Sequence, residues 1–105
     1  MITGVPDSKL KDWLKNKEYI IACNEGHAVG MAVGHYLATK ETATVFMQSD
    51  GFCNALNAIT SLVIPYEIPI NWVISIRTDP PQHIVMGTNI KKLLKIFNIK
   101  AKLIL

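Results

Sequence analysis

The stretch IIACNEGHAVG, Ile20 to Gly30, decides how this chain is read. Apolar residues run from Ile20 through Ala22 and stop at Asn24-Glu25, and small residues at helical spacing follow. The first part, EYIIAC, predicts a buried strand. The second, GHAVGMAVGHYLATK, predicts a helix that Asn24 can cap and that ends near Thr39. A strand that passes directly into a helix is half of a crossover unit, and crossover units build parallel sheets.

The same alternation extends in both directions. Upstream, TGVPDSKLKDWLKN reads as a turn and then a helix, with Asp7 or Ser8 as cap and Leu10, Trp13 and Leu14 on one face. Downstream come a strand (TATVFMQ), a loop (SDGF) and a helix (CNALNAITSLV) stopped by Pro65 and Pro69. INWVISI shows little alternation, as a strand covered on both faces should. NIKKLLKIFNI places Ile90, Leu93, Leu94 and Phe97 on one side of a last helix, and AKLIL begins a last strand. The pattern predicts a single α/β domain over 1–105, a parallel sheet flanked by helices on both faces.

Composition narrows the function classes. Half of the 105 residues are hydrophobic and only 18% are charged, more apolar surface than so small a domain readily encloses. A subunit or domain interface is one outlet; unusual compactness is the other. The net charge of +3 comes from lysines near the two ends, interleaved with apolar residues at helical spacing. That is the pattern of solvated helix faces, and no basic stripe with stacking aromatics points to nucleic acid. Cys23 and Cys53 form no CxxC pair and read as free thiols. No signal peptide opens the chain, and the longest uncharged run, Gly51 to Tyr66, is broken by Asn54, Asn57 and Pro65, so no membrane span is expected. A soluble cytoplasmic protein is the resulting expectation.

Ligands of parallel sheets bind beyond the carboxyl ends of the strands. Polar residues collect there: Asn24-Glu25, then Gln48-Ser49-Asp50-Gly51, then Arg77-Thr78-Asp79. Glu25 has two readings, an acid that complements the helix dipole or a carboxyl group placed in an apolar cleft between subunits. Gly26, Gly30 and Gly34 recur every fourth residue with Ala28 and Ala32 between them, a strip for close approach either by the chain's own sheet or by another subunit. SDGFCN could cradle a phosphate, a weak signal with one glycine, and Asn54 could equally cap a helix. His27, His35 and His83 lack metal-ligand spacing. Arg77 could receive an anionic substrate, or form a surface salt bridge.

Taken together, TGVPDS, IIACNEGHAVGMAVGHYLAT, FMQSDGFCNALNAITSL, IPINWVISIR and PPQHIVMG resemble the phosphonopyruvate decarboxylases. More broadly they are similar to the pyrimidine-binding domain of thiamine diphosphate-dependent decarboxylases, with sulfopyruvate decarboxylase the next nearest. The resemblance implies that Glu25 hydrogen-bonds the cofactor's aminopyrimidine, so that the thiazolium carbon can lose its proton. It implies cofactor contacts from Gln48, Gly51 and Asn54, and substrate contacts from Asp7, Arg77 and His83. It implies an oligomer, with the glycine-bearing helix at the subunit seam.

The likeness has departures. The family's loop usually carries Asn-Ser before the glycine and a second glycine where Cys53 stands, so Ser49, Asp50 and Cys53 change its shape and charge. Asp50 would repel an anionic substrate. The Gly-Asp-Gly…Asn pattern that holds magnesium in the family's diphosphate-binding domain does not occur here. The expectation is a shortened pyrimidine-binding domain, inactive alone, that needs a diphosphate-binding partner domain or subunit. The rival expectations are a truncated, non-catalytic copy serving as an interaction module, and an unrelated flavodoxin-like domain binding a phosphate ligand unaided.

Overall fold

The computed structural model describes residues 1–105. Five strands, β1 (Ile2–Gly4), β2 (Ile20–Ile21), β3 (Ala43–Gln48), β4 (Ile70–Ser75) and β5 (Ala101–Ile104), form one sheet in the order β2-β1-β3-β4-β5. Every neighbouring pair is parallel. The helices are α1 (Lys11–Leu14), α2 (Glu25–Thr39), α3 (Phe52–Ala58) and α4 (Ile84–Ile96). The expected parallel α/β fold is the fold observed.

Strand order and the right-handedness of parallel crossovers dictate the layers. From β2 to β3, β3 to β4 and β4 to β5 the chain steps one way across the sheet, so α2, α3 and α4 share one face. From β1 to β2 it steps the other way, which puts α1 on the opposite face. Packing follows this division. A cluster of 17 buried residues joins Val29, Ala32, Phe52, Ile59, Ile90 and Leu94 of the three helices to Val45, Met47, Trp72 and Ile74 of the sheet. On the other side a smaller cluster joins Leu10 and Leu14 to Phe46 and Val73, with Ile2, Trp13 and Ile104 packed against it. Register agrees with side: Val45 pairs with Trp72 and Phe46 with Val73, so each pair points to its own face.

Local details show why the elements end where they do. The Asn24 side chain accepts the His27 amide at 2.9 Å and starts α2. Lys40, with φ of 63°, closes it in the left-handed conformation. α3 loosens into a π-helical turn over Ile59–Val63 before Pro65.

Three expectations are corrected. EYIIAC is not a buried strand: β2 is two residues long, lies at the sheet edge, and leaves Ile20 and Ile21 exposed. An apolar run reads alike at an edge and in a centre, and only strand order separates them. The SDGF segment is not an irregular loop, because Ser49–Gly51 forms a 3-10 turn leading straight into α3. The last helix begins at Ile84 rather than at Asn89, since a turn over Pro81–His83 feeds it directly.

Chain direction reverses between β1 and β3, the switch point where parallel sheets open a crevice. The segments after these strands, Val5–Asp7 and Ser49–Gly51, flank it.

Candidate active site

Glu25 stands in the first turn of α2 and is 94% buried, with 6% of its surface exposed. Two elements hold its side chain. The Asn54 side-chain amide, from α3, donates to Glu25 Oε1 at 3.0 Å. Gly51 lies under the carboxyl group: a Cβ there would stand 2.5 Å from the Glu25 carboxyl carbon and from Oε2. Gly26 permits this arrangement, since a Cβ on it would come within 3.1 Å of the Asn54 carbonyl oxygen where α2 and α3 meet. Oε2 takes no hydrogen bond from any protein group. Glu25, Gly51 and Asn54, drawn from two sequence blocks, thus form one unit.

Asp7 and Arg77 form a second. The Arg77 guanidinium pairs with Asp7 Oδ1 at 2.5 Å through Nη1, which also donates to Ser8 Oγ at 3.2 Å. Asp7 Oδ2 accepts the Ser75 hydroxyl at 3.0 Å and the Lys9 amide at 3.3 Å, capping the short helix at Ser8–Leu10. Ser49, fully buried, accepts the Arg77 amide through its hydroxyl at 3.1 Å and so ties the ends of β3 and β4. Two of the three residues expected at the substrate therefore hold each other. The sequence marks Ser49 only as a strand-end and loop residue and Ser75 not at all, although a lone hydroxyl such as Ser75 inside VISI is a signal of polar work in an apolar strand.

His83 and Asp50 form the third unit. His83 Nδ1 contacts Asp50 Oδ2, joining the turn after β4 to the turn after β3. Gly87 lets α4 approach, because a Cβ there would meet the Arg77 carbonyl oxygen at 2.0 Å. Asp50 Oδ1 and, two residues earlier, Gln48 Oε1 are buried acceptors without a hydrogen-bond partner. Gln48 makes no side-chain bond to Glu25 or Asn54.

All three units sit on one rim, yet none of the five surface depressions includes Glu25, Gly51, Asn54, Arg77 or His83. The one near the switch point, about 580 Å³, is lined by Pro6, Asp7, Ser8, Lys11 and Lys15 among others. The rim is a surface, so any enclosed site must be completed from outside this chain. No cluster of three His, Cys, Asp or Glu side chains is close enough to hold a metal ion.

A parallel α/β domain with a held carboxylate at a strand-to-helix junction, on an open rim, is the arrangement of a ligand-binding domain. The family is specific: the model for the thiamine pyrophosphate enzyme N-terminal TPP binding domain matches residues 1–67, and this chain belongs to that family. Sulfopyruvate decarboxylase subunit alpha of Methanocaldococcus jannaschii is 41% identical over 108 aligned residues, covering 93% of this chain and 63% of that protein. The protein of the same description from Methanococcus maripaludis is 38% identical over 108, covering 93% and 64%. A third, from Methanothermobacter thermautotrophicus, is 36% identical over 59 residues, 56% of this chain and 35% of that protein. The chain thus spans 63–64% of the length of the two relatives that it matches along most of its own length.

The residues present fit a share of thiamine diphosphate. One carboxyl oxygen of Glu25 is fixed by Asn54 and the other is open to a ring nitrogen, above a glycine that leaves room.

Proposed function

We propose that this chain is the pyrimidine-side half of a thiamine diphosphate-dependent decarboxylase acting on sulfopyruvate. A second domain or subunit would bring the diphosphate-binding half and magnesium. The relatives of 41% and 38% identity carry the substrate name. Phosphonopyruvate, suggested by the PQH and MG segments, shares its chemistry, a 2-oxo acid with a strongly acidic tetrahedral group. The observation that carries the reading is the Glu25 carboxyl group, buried yet with one oxygen unpartnered.

When bound, thiamine diphosphate supplies a carbon nucleophile for the keto carbon and takes up the electron pair left by departing carbon dioxide. This chain's part is to orient the ring and share its proton. Glu25 would hold a proton between Oε2 and a pyrimidine nitrogen, and Asn54 keeps Oε1 from turning away. Burial strengthens that bond by excluding competing water. Gly51 leaves the space that the Glu25 carboxyl group occupies. The Gly30–Gly34 face of α2, bare of contacts, would meet the second body. A cytoplasmic setting suits two exposed free thiols.

Reconstitution with a diphosphate-binding subunit tests this. Carbon dioxide release from sulfopyruvate should fall by at least about 100-fold in Glu25→Gln. Calorimetry of thiamine diphosphate binding to the complex gives a second readout. Wild-type activity retained in Glu25→Gln would sink the proposal. A non-catalytic interaction module is the second reading, favoured by the pairing of Arg77 with Asp7 and of His83 with Asp50, which engages both basic side chains expected at the substrate. It predicts a complex that forms and is no more active than Glu25→Gln.

A further inference from the structure

We propose that Asp50 is a positioning residue that fixes the ring orientation and proton placement of His83. The role rests on the reading above, in which this rim faces a 2-oxo acid. Asp50 ends no secondary structure and caps nothing; its side chain has one partner, His83. The two residues follow neighbouring strands, β3 and β4, whose last residues Gln48 and Ser75 are paired. Ser49, between Gln48 and Asp50, is bonded to the Arg77 amide, so the two turns keep a fixed separation. The imidazole is largely enclosed, with 12% of its side chain exposed.

An ionised carboxylate only accepts hydrogen bonds, so the imidazole nitrogen facing Asp50 carries a proton. His83 is thereby held as the Nδ1–H tautomer, and Nε2, without a partner in the chain, is the free nitrogen. Neutral, it accepts a proton from a bound acid; protonated, it donates toward an anionic group or a developing carbanion. The Asp50 carboxylate is engaged by the ring N–H rather than facing the substrate unopposed. This changes the consequence of the Asp50 substitution from simple repulsion to control of His83. His27 supplies an internal contrast: its Nδ1 accepts the Cys23 amide at 3.0 Å, so its own proton sits on Nε2.

Long-range proton–nitrogen correlation spectra of the uniformly nitrogen-15-labelled chain, taken at a pH where histidine is neutral, read both tautomers directly. His83, assigned by its loss in His83→Gln, should be protonated at Nδ1 and His27 at Nε2. In Asp50→Ser and in Asp50→Ala, His83 should move to Nε2–H or a mixture while His27 stays unchanged. An unchanged His83 tautomer in both variants, or Nε2–H in the wild type, overturns the positioning role. In the reconstituted complex, Asp50→Ser and His83→Gln should each lower kcat/KM about tenfold, and the double variant should fall no further than the worse single one. Both singles matching wild type, while Glu25→Gln is inactive, would overturn the role and leave the domain assignment standing. An inactive wild-type complex would instead overturn the decarboxylase reading, and the spectra alone would then decide whether Asp50 sets the ring.

Discussion

At the scale of the residue, glycines separate fold from chemistry. A Cβ at Gly51 would strike the far end of the Glu25 side chain, which can swing aside. Gly51→Ala should therefore cost under about 1 kcal/mol in urea denaturation while displacing the carboxyl group and lowering reconstituted turnover. Gly87→Ala is the opposite case, because its Cβ would meet the Arg77 carbonyl oxygen at 2.0 Å and backbone cannot yield cheaply. A loss of about 3 kcal/mol or more in stability is expected. Asp7→Ala removes a cap, a hydroxyl partner and the Arg77 pair together, and should cost about 2–4 kcal/mol by the same measurement. Lost activity in that variant would say little about substrate contact; lost activity in a stable Gly51→Ala would say much.

At the scale of the element, α2 carries two opposed faces. Ala28 and Ala32 are fully buried on the sheet, while a Cβ at Gly30 or Gly34 would find nothing within 4 Å. Residues two apart on a helix point nearly opposite ways, so the alanines between the glycines do not belong to their strip. The glycine face does not pack on the chain's own sheet, one of the two readings the sequence left open. Gly30→Ala with Gly34→Ala should raise the stability of the isolated chain by about 1 kcal/mol per site, from helix propensity alone. If that face meets a second body, the same pair should weaken association in sedimentation experiments. Higher stability with unchanged association would remove α2 from the interface.

At the scale of the whole molecule, the division into a full and a sparse sheet face matters. Three helices cover one side, whereas α1, four residues long, is the one helix on the other. Large apolar residues remain exposed, among them Ile21, Leu37, Ile84 and Val85. An isolated chain should scatter light above its monomer mass and should show no decarboxylation with thiamine diphosphate and magnesium. Turnover by a verified pure preparation would contradict the partner requirement. No helix is long and apolar enough to cross a membrane, so the apolar excess is not a membrane-spanning helix.

Much of the fold was legible because its signals are local. Alternating apolar runs and capped periodic segments place β3, β4 and α2 within a residue or two, as they do α3 once its π-helical turn to Val63 is counted, and Asn24 caps as its side chain dictates. Position within the sheet was not, so β2 read as buried. The candidate site divides likewise. Polar residues at three strand ends marked the rim, and Glu25 stood out within IIACNEGHAVG as an acid at a strand end. The sequence by itself determined the parallel α/β class, the strand-end location of its polar residues and the family. Only the tertiary structure decided which of those residues meet: Glu25 with Asn54 over Gly51, Arg77 with Asp7, His83 with Asp50. The physical reason is that strand and helix signals lie within a few residues. The pairings span 29 to 70 positions and exist only once the sheet has brought its strand ends together.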